Sequence, residues 1–283
     1  MHADAASGHY AVANGLNIYY EANGDGHPLL LLCGGFGTHA AWDSQVPGWQ
    51  EHFRVFAPDN RGLGRTVHPG GSISYELLAR DALALIEALK LDRPLICGFN
   101  DGACTALQMA IWAPECAAAF VFMDAWLWNA KQESQRGLLL MQEGFGLVGP
   151  VREQLTDEDL EQIERTNHMA IGILKGGYPD GRGETYWKTY LKEVWPAWSM
   201  LTEHGADELQ RITTPTLVVV GDRDPFQPLN EAVELYRHLP NAELAVIPGM
   251  DNGGPLSNRA DILKQVVLHF LLRQVESRIA SSA

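Results

Sequence analysis

Short runs that are apolar or nearly so recur along this chain, separated by stretches with helical spacing. Pro28 to Leu32 and Phe53 to Ala57 each read as a strand buried on both faces, Pro94 to Cys97 as a buried strand, and Ala118 to Met123, Thr216 to Val220 and Leu244 to Ile247 as further strands. Between them, Leu78, Ala82, Leu85 and Leu89 recur at helical spacing, and Gly102 to Trp112 and Asn230 to His238 read as helices. Near the end, Leu263, Val266, Val267, Phe270 and Leu271 form one continuous apolar stripe. Strands alternating with helices fold into a mostly parallel sheet covered on both faces. The start differs: Tyr10 to Glu21 reads as a hairpin about Asn14-Gly15.

The alternation breaks between 126 and about 206. No buried strand is evident there, a helix is predicted over about Asp157 to Leu174, and aromatics cluster (Trp126, Trp128, Tyr178, Tyr186, Trp187, Tyr190, Trp195, Trp198). The predicted organisation is therefore an α/β core built from 1–125 and 207–283, with a helical insertion over 126–206. A chain of 283 residues has room for both.

Composition narrows the function classes. Hydrophobic residues make up 46% and charged residues 20%, as in a chain that builds a core. The net charge of −14 argues against nucleic acid and anionic membrane surfaces as partners. Met1 to Tyr10 has no apolar signal-peptide core, and no apolar run approaches the ~18 residues of a membrane span. Cys33, Cys97, Cys104 and Cys116 lack zinc-type spacing and are too few for a disulfide framework, so a reduced cytoplasmic setting is expected. No phosphate-binding loop, dinucleotide fingerprint or metal-ligand cluster appears, so no cofactor and no metal are expected.

Parallel sheets bind ligands at the carboxyl ends of their strands. That directs attention to the loops at 33–39, 98–102, 124–128, 221–228 and 248–255. Gly98-Phe99-Asn100-Asp101-Gly102 lies between a strand and a helix, the setting of a nucleophile elbow with the pattern G-x-S-x-G. The flanking glycines put Asn100 at its centre, and Asn tolerates positive φ better than most residues.

With this motif the chain resembles the α/β-hydrolase superfamily, in particular its capped meta-cleavage-product hydrolases and esterases. Leu32-Cys33-Gly34-Gly35-Phe36-Gly37 is similar to the family's oxyanion loop, and Pro58-Asp59-Asn60-Arg61-Gly62-Leu63-Gly64 to its P-D-x-R-G-x-G stretch. Gly221-Asp222-Arg223-Asp224-Pro225 is similar to the loop carrying the triad acid, which falls at Asp224. Pro248-Gly249-Met250-Asp251-Asn252 is similar to the loop ending in the catalytic His, which places Asn252 there. The resemblance implies an eight-stranded, mostly parallel sheet with its second strand antiparallel, helices on both faces and a helical cap. It also implies backbone oxyanion donors at Gly35 or Phe36 and at Asp101.

The same resemblance exposes a chemical departure. A Ser–His–acid machine needs a hydroxyl nucleophile and a basic imidazole, and Asn100 and Asn252 supply neither. The expected activity is therefore non-hydrolytic: lyase, isomerase or cyclase chemistry on a small carbonyl-bearing metabolite polarised by backbone N–H groups. Asn100, Asn252, Asp224 and Asp124 are the candidate catalytic residues. His39 and His168 are candidates to face the cavity and replace the lost base. Trp126 and Trp128 should border a pocket for a flat, apolar or aromatic ligand. Each residue also has a plainer reading: Asn100 as a turn residue retained after loss of function, Asp224 as a loop anchor, the histidines as surface groups, the aromatics as lid core. A thiol nucleophile among the cysteines is a further option. Two alternative functions follow: a non-catalytic small-molecule binding protein or sensor, and a hydrolase that activates water with a carboxylate or a cap histidine. The oligomeric state is not legible.

Overall fold

The structure is a computed structural model and describes residues 8–125, 133–199 and 204–282. In chain order the strands are β1 (His9–Ala13), β2 (Leu16–Asn23), β3 (His27–Leu32), β4 (Phe53–Pro58), β5 (Leu95–Phe99), β6 (Ala119–Met123), β7 (Thr216–Gly221) and β8 (Ala242–Ile247). The helices are α1 (Val46–Trp49), α2 (Tyr75–Ala88), α3 (Asp101–Trp112), α4 (Glu133–Gly144), α5 (Asp157–Thr166), α6 (His168–Gly176), α7 (Gly183–Ser199), α8 (Ala206–Leu209), α9 (Leu229–His238) and α10 (Ala260–Ser282).

All eight strands form one sheet in the order β1-β2-β4-β3-β5-β6-β7-β8. β2 runs antiparallel to both its neighbours, and the other pairings are parallel. The expected fold is therefore the one observed. The central strands are apolar throughout because both their faces are covered. One core layer packs Leu30, Ile96, Phe120 and Val218 against α2, α3 and α9 residues such as Leu85, Leu107 and Leu235. The other packs Leu31, Cys97, Val121 and Val219 against Leu263, Val267 and Phe270 of α10.

The segment between β6 and β7 holds helices and no strand among its described residues. It departs from expectation in one respect: the single helix expected over about Asp157 to Leu174 is two, α5 and α6. Asn167 leaves helical geometry (φ −122, ψ 68), and its side chain accepts from the Ala170 N–H to cap α6. An internal Asn favours this because its short amide competes for backbone hydrogen bonds. Two tyrosines fasten this segment to the core loops: Tyr178, in the turn before α7, donates Oη–H to the Gly62 carbonyl at 2.9 Å, and Tyr190 on α7 donates to the Gly35 carbonyl at 2.5 Å. No helix among the described residues is long and apolar enough to cross a membrane.

Candidate active site

The turn between β5 and α3 is a sharp elbow at Asn100, with φ 53 and ψ −119. Its glycines are there for contact. A Cβ on Gly98 would lie 2.2 Å from the Gly102 carbonyl oxygen, and one on Gly102 would lie 2.1 Å from that of Leu32. The Asn100 N–H donates to the Met123 carbonyl at 2.9 Å, and its own carbonyl accepts from Ala103 and Cys104 to start the helix. The strained backbone is thus held from both sides.

Three side chains from three loops meet at this elbow. Asn100 Nδ2 donates to Asn252 Oδ1 at 3.2 Å, and Asn252 Nδ2 donates to Asp224 Oδ2 at 2.8 Å. Asp224 Oδ1 accepts from the N–H groups of Phe226 and Gln227 at 2.7 and 3.0 Å. The direction of this line follows from chemistry. An ionised carboxylate only accepts, so Asn252 must turn its NH₂ to Asp224 and its oxygen to Asn100. Asn100 must then present its NH₂ to Asn252, which leaves its Oδ1 to accept from the Asp101 N–H at 2.9 Å.

That last contact bears on the expected oxyanion donors. The Asp101 N–H is occupied by the neighbouring side chain. The Gly35 and Phe36 N–H groups, by contrast, have no acceptor among the described residues.

Asp124 follows β6 at φ 54 and is completely buried. Neither of its carboxyl oxygens closes a well-formed hydrogen bond to a donor among the described residues, and the Gly221 N–H gives only weak relief. Its hydrogen-bonding neighbour is the Asp224 carboxyl. Burial, and then the charge of Asp224, pushes the Asp124 pKa well above the carboxylate range. Burial also raises Asp224, but hydrogen bonds from Asn252, Gln227 and Phe226 restrain that rise. Two buried carboxyls in contact cannot both ionise, so Asp124 is the neutral partner of the pair.

The side chain of Asp101, which the sequence reading did not single out, is a third buried carboxyl. Its Oδ1 accepts from Tyr75 Oη at 2.5 Å and its Oδ2 from Trp198 Nε1 at 3.0 Å. Its pKa is raised to about 6 by burial, against the pull of those two donors. A Cβ on Gly35 would lie 2.0 Å from Asp101 Oδ2, so the glycine at 35 is what admits the carboxyl beside the oxyanion loop. The available signal was a charged residue beginning a helix whose next nine residues, Gly102 to Ala110, are all buried. Trp198 also stacks on Phe145 and meets Phe36 edge-on, which builds an aromatic wall from the turn after α4, from α7 and from the oxyanion loop.

Other expected site residues are placed elsewhere. His39 is held by carboxylates on both ring nitrogens, Asp59 at 2.7 Å and Glu21 at 3.1 Å, with Tyr19 against its ring. It has no free nitrogen to serve as a base, because two acids from β2 and the β4 loop converge on it. His168 begins α6 with its side chain in solvent, since the buried face of that helix is Ala170, Ile171 and Leu174. Trp126 and Trp128 lie outside the described residues. Cys33 donates Sγ–H to the Gly37 carbonyl at 2.8 Å, and complete burial pushes its thiol far above the usual range, so it is no nucleophile.

Comparison with known proteins yields one consistent family. A model described as "Alpha/beta hydrolase family" matches residues 29–264. The chain is 24% identical over 229 residues to 3-oxoadipate enol-lactonase 2 of Acinetobacter baylyi, covering 78% of this chain and 80% of that one. It is 26% identical to the human serine hydrolase BPHL, covering 83% and 76% respectively. Among solved structures, an esterase from Thermogutta terrifontis superposes with a TM-score of 0.72 at 20% identity, covering 95% of this chain and 99% of that one.

Proposed function

This chain belongs to the alpha/beta hydrolase family, and from that premise we propose that it is an enzyme of this fold working without a covalent acyl intermediate. In this reading Asn100, Asn252 and Asp224 stand where nucleophile, base and acid stand in hydrolytic relatives, and the helical segment 126–206 caps the site. The reaction is lyase, isomerase or cyclase chemistry on a small carbonyl-bearing metabolite. The observation that carries the proposal is the Asn100–Asn252–Asp224 line. It contains two amides and a carboxylate, no hydroxyl or thiol to acylate and no imidazole to take a proton.

What the site keeps is polarisation and proton transfer. The open N–H groups of Gly35 and Phe36 are suited to a developing oxyanion, worth about 3 kcal/mol per donor in a dry site. Asp101, with a pKa of about 6, suits general acid–base work near neutrality. The aromatic wall of Phe36, Phe145 and Trp198 suits a flat apolar ligand.

A second reading is favoured by the hydrolase names of the relatives: hydrolysis by a water that a carboxylate activates directly. One experiment separates the two. A panel of small keto and hydroxy-carbonyl compounds is incubated with the protein in heavy-oxygen water, and the products are weighed. Products free of solvent oxygen support the lyase, isomerase or cyclase reading. One heavy oxygen per turnover overturns it in favour of hydrolysis. Saturable binding without any product makes the chain a binding protein.

A further inference from the structure

We propose that Asn100 is a self-modification site, at which the side-chain amide closes onto the backbone nitrogen of Asp101, expels ammonia, and then opens with water to a carboxylate at position 100. The inference rests on the elbow geometry and not on the reaction proposed above. With φ 53 and ψ −119, the bond to the next residue turns back over the side chain. Asn100 Oδ1 lies 2.9 Å from the Asp101 nitrogen, so Cγ, bonded to that oxygen, sits beside the attacking atom. The side chain is also confined. A Cβ on Gly34 would lie 3.2 Å from Asn100 Cβ and 3.5 Å from Oδ1, so the oxyanion loop closes directly over it.

Ring closure forms the Asp101 N–Cγ bond and breaks the Cγ–Nδ2 bond. The proton of the Asp101 N–H leaves with Nδ2 as ammonia, and no external oxidant or reductant enters. Little backbone bonding is lost. The Asp101 N–H lies in the first turn of α3, where N–H groups have no intrahelical acceptor, and among the described residues it donates to the Asn100 side chain alone. The positive end of the helix also favours loss of that proton.

Water then adds to one of the two ring carbonyls. Opening at Cγ restores the normal peptide and leaves an aspartate at position 100. Opening at the main-chain carbonyl would add a backbone atom between β5 and α3. The elbow resists that, because the Asn100 carbonyl must accept from Ala103 and Cys104, and Gly98 and Gly102 leave no spare room. The normal peptide is therefore the expected product, and the elbow gains a carboxylate oxygen in place of an amide.

The test needs no substrate. The protein is held at mildly alkaline pH in heavy-oxygen water, folded in one arm and unfolded in guanidinium chloride in the other, then digested at low pH and mapped by mass spectrometry. The peptide containing Asn100 should lose one ammonia, or gain one heavy oxygen at that residue, roughly tenfold faster in the folded arm, because the fold supplies the orientation. Asn14-Gly15 and Asn23-Gly24 provide internal clocks, being Asn-Gly pairs that are unconstrained in the unfolded arm. Conversion of Asn100 that is no faster folded than unfolded would overturn the proposal. Asn100→Gln, confirmed as folded by circular dichroism, should stay unmodified because its longer side chain must close a larger ring. If that variant does not fold, the two arms on the unaltered chain still decide.

Discussion

Asn100 Nδ2 lies 3.2 Å from Asn252 Oδ1, joining two residues 152 positions apart by a single hydrogen bond between amides. In the reading proposed above, the contact stands where a proton relay would run but lacks its chemistry, since neither amide takes up a proton near neutral pH.

The first consequence is a negative one for ester substrates. Activated p-nitrophenyl esters should show no burst, and a fluorophosphonate should leave residue 100 unlabelled, because no acyl or phosphonyl group can be transferred to an amide nitrogen at the elbow. Stoichiometric labelling of the elbow peptide would refute this.

Reversion should need both amides. Asn100→Ser alone should remain a poor esterase, since Asn252 takes no proton. Combined with Asn252→His, it should give measurable hydrolysis, because Asp224 Oδ2 already stands 2.8 Å from the side chain at 252 and can orient an imidazole. Steady-state ester kinetics on the double variant check this. Activity no greater than that of Asn100→Ser would mean that the loops no longer support the relay.

Cutting the line should cost stability. Asn252→Leu leaves Asp224 Oδ2 and Asn100 Nδ2 without the partners they now have. Loss of about 1–3 kcal/mol in urea denaturation is expected for a deprived polar pair. Asn252→His should lose less. Equal stability of Asn252→Leu and the unaltered protein would mean that water replaces Asn252 without penalty.

Asp124 should make folding weaken as pH rises. Its folded pKa is raised from an ordinary 3.8. The unfolded chain therefore releases this proton first, and the stability present below pH 3.8 is progressively lost as pH climbs toward the folded pKa. Asp124→Asn replaces the buried carboxyl with an amide of the same shape that does not titrate. Its melting temperature relative to the unaltered protein should rise steadily with pH above about 4. A difference that stays flat with pH would show that Asp124 is ionised in the folded state.

Asp101 should act over a narrower window. Its pKa rises from 3.8 to about 6, so its contribution is complete below pH 3.8 and is lost by the time pH passes about 6. The loss is at most about 3 kcal/mol. Above that window the ionised carboxylate holds Trp198 Nε1 more strongly, so Trp198 fluorescence should titrate near pH 6. Asp101→Asn should abolish that titration. Its persistence in the variant would assign it to another group.

The sequence by itself determined the layer architecture and the residue types at the ends of the strands. Apolar runs bounded by turn residues report burial on both faces, and glycines at 98 and 102 report an elbow wherever they flank a strand-to-helix junction. Asn100 was legible for that reason, and Asp224 and Asn252 through the resemblance of their loops to those of the α/β-hydrolase family. The tertiary structure decided which atoms those residues use. Trp198 reaches Asp101 across 97 positions, Asp224 meets Asp124 from a different strand, and Glu21 and Asp59 converge on His39 and remove it from the chemistry. Even within α3, the fate of the Asp101 N–H depended on the side-chain direction of Asn100, which Asp224 sets through Asn252. Periodicity is a local property and records the face a residue turns to the core. The partner of a buried polar atom comes from whichever loop the fold brings to the same sheet edge, and spacing along the chain carries no record of that.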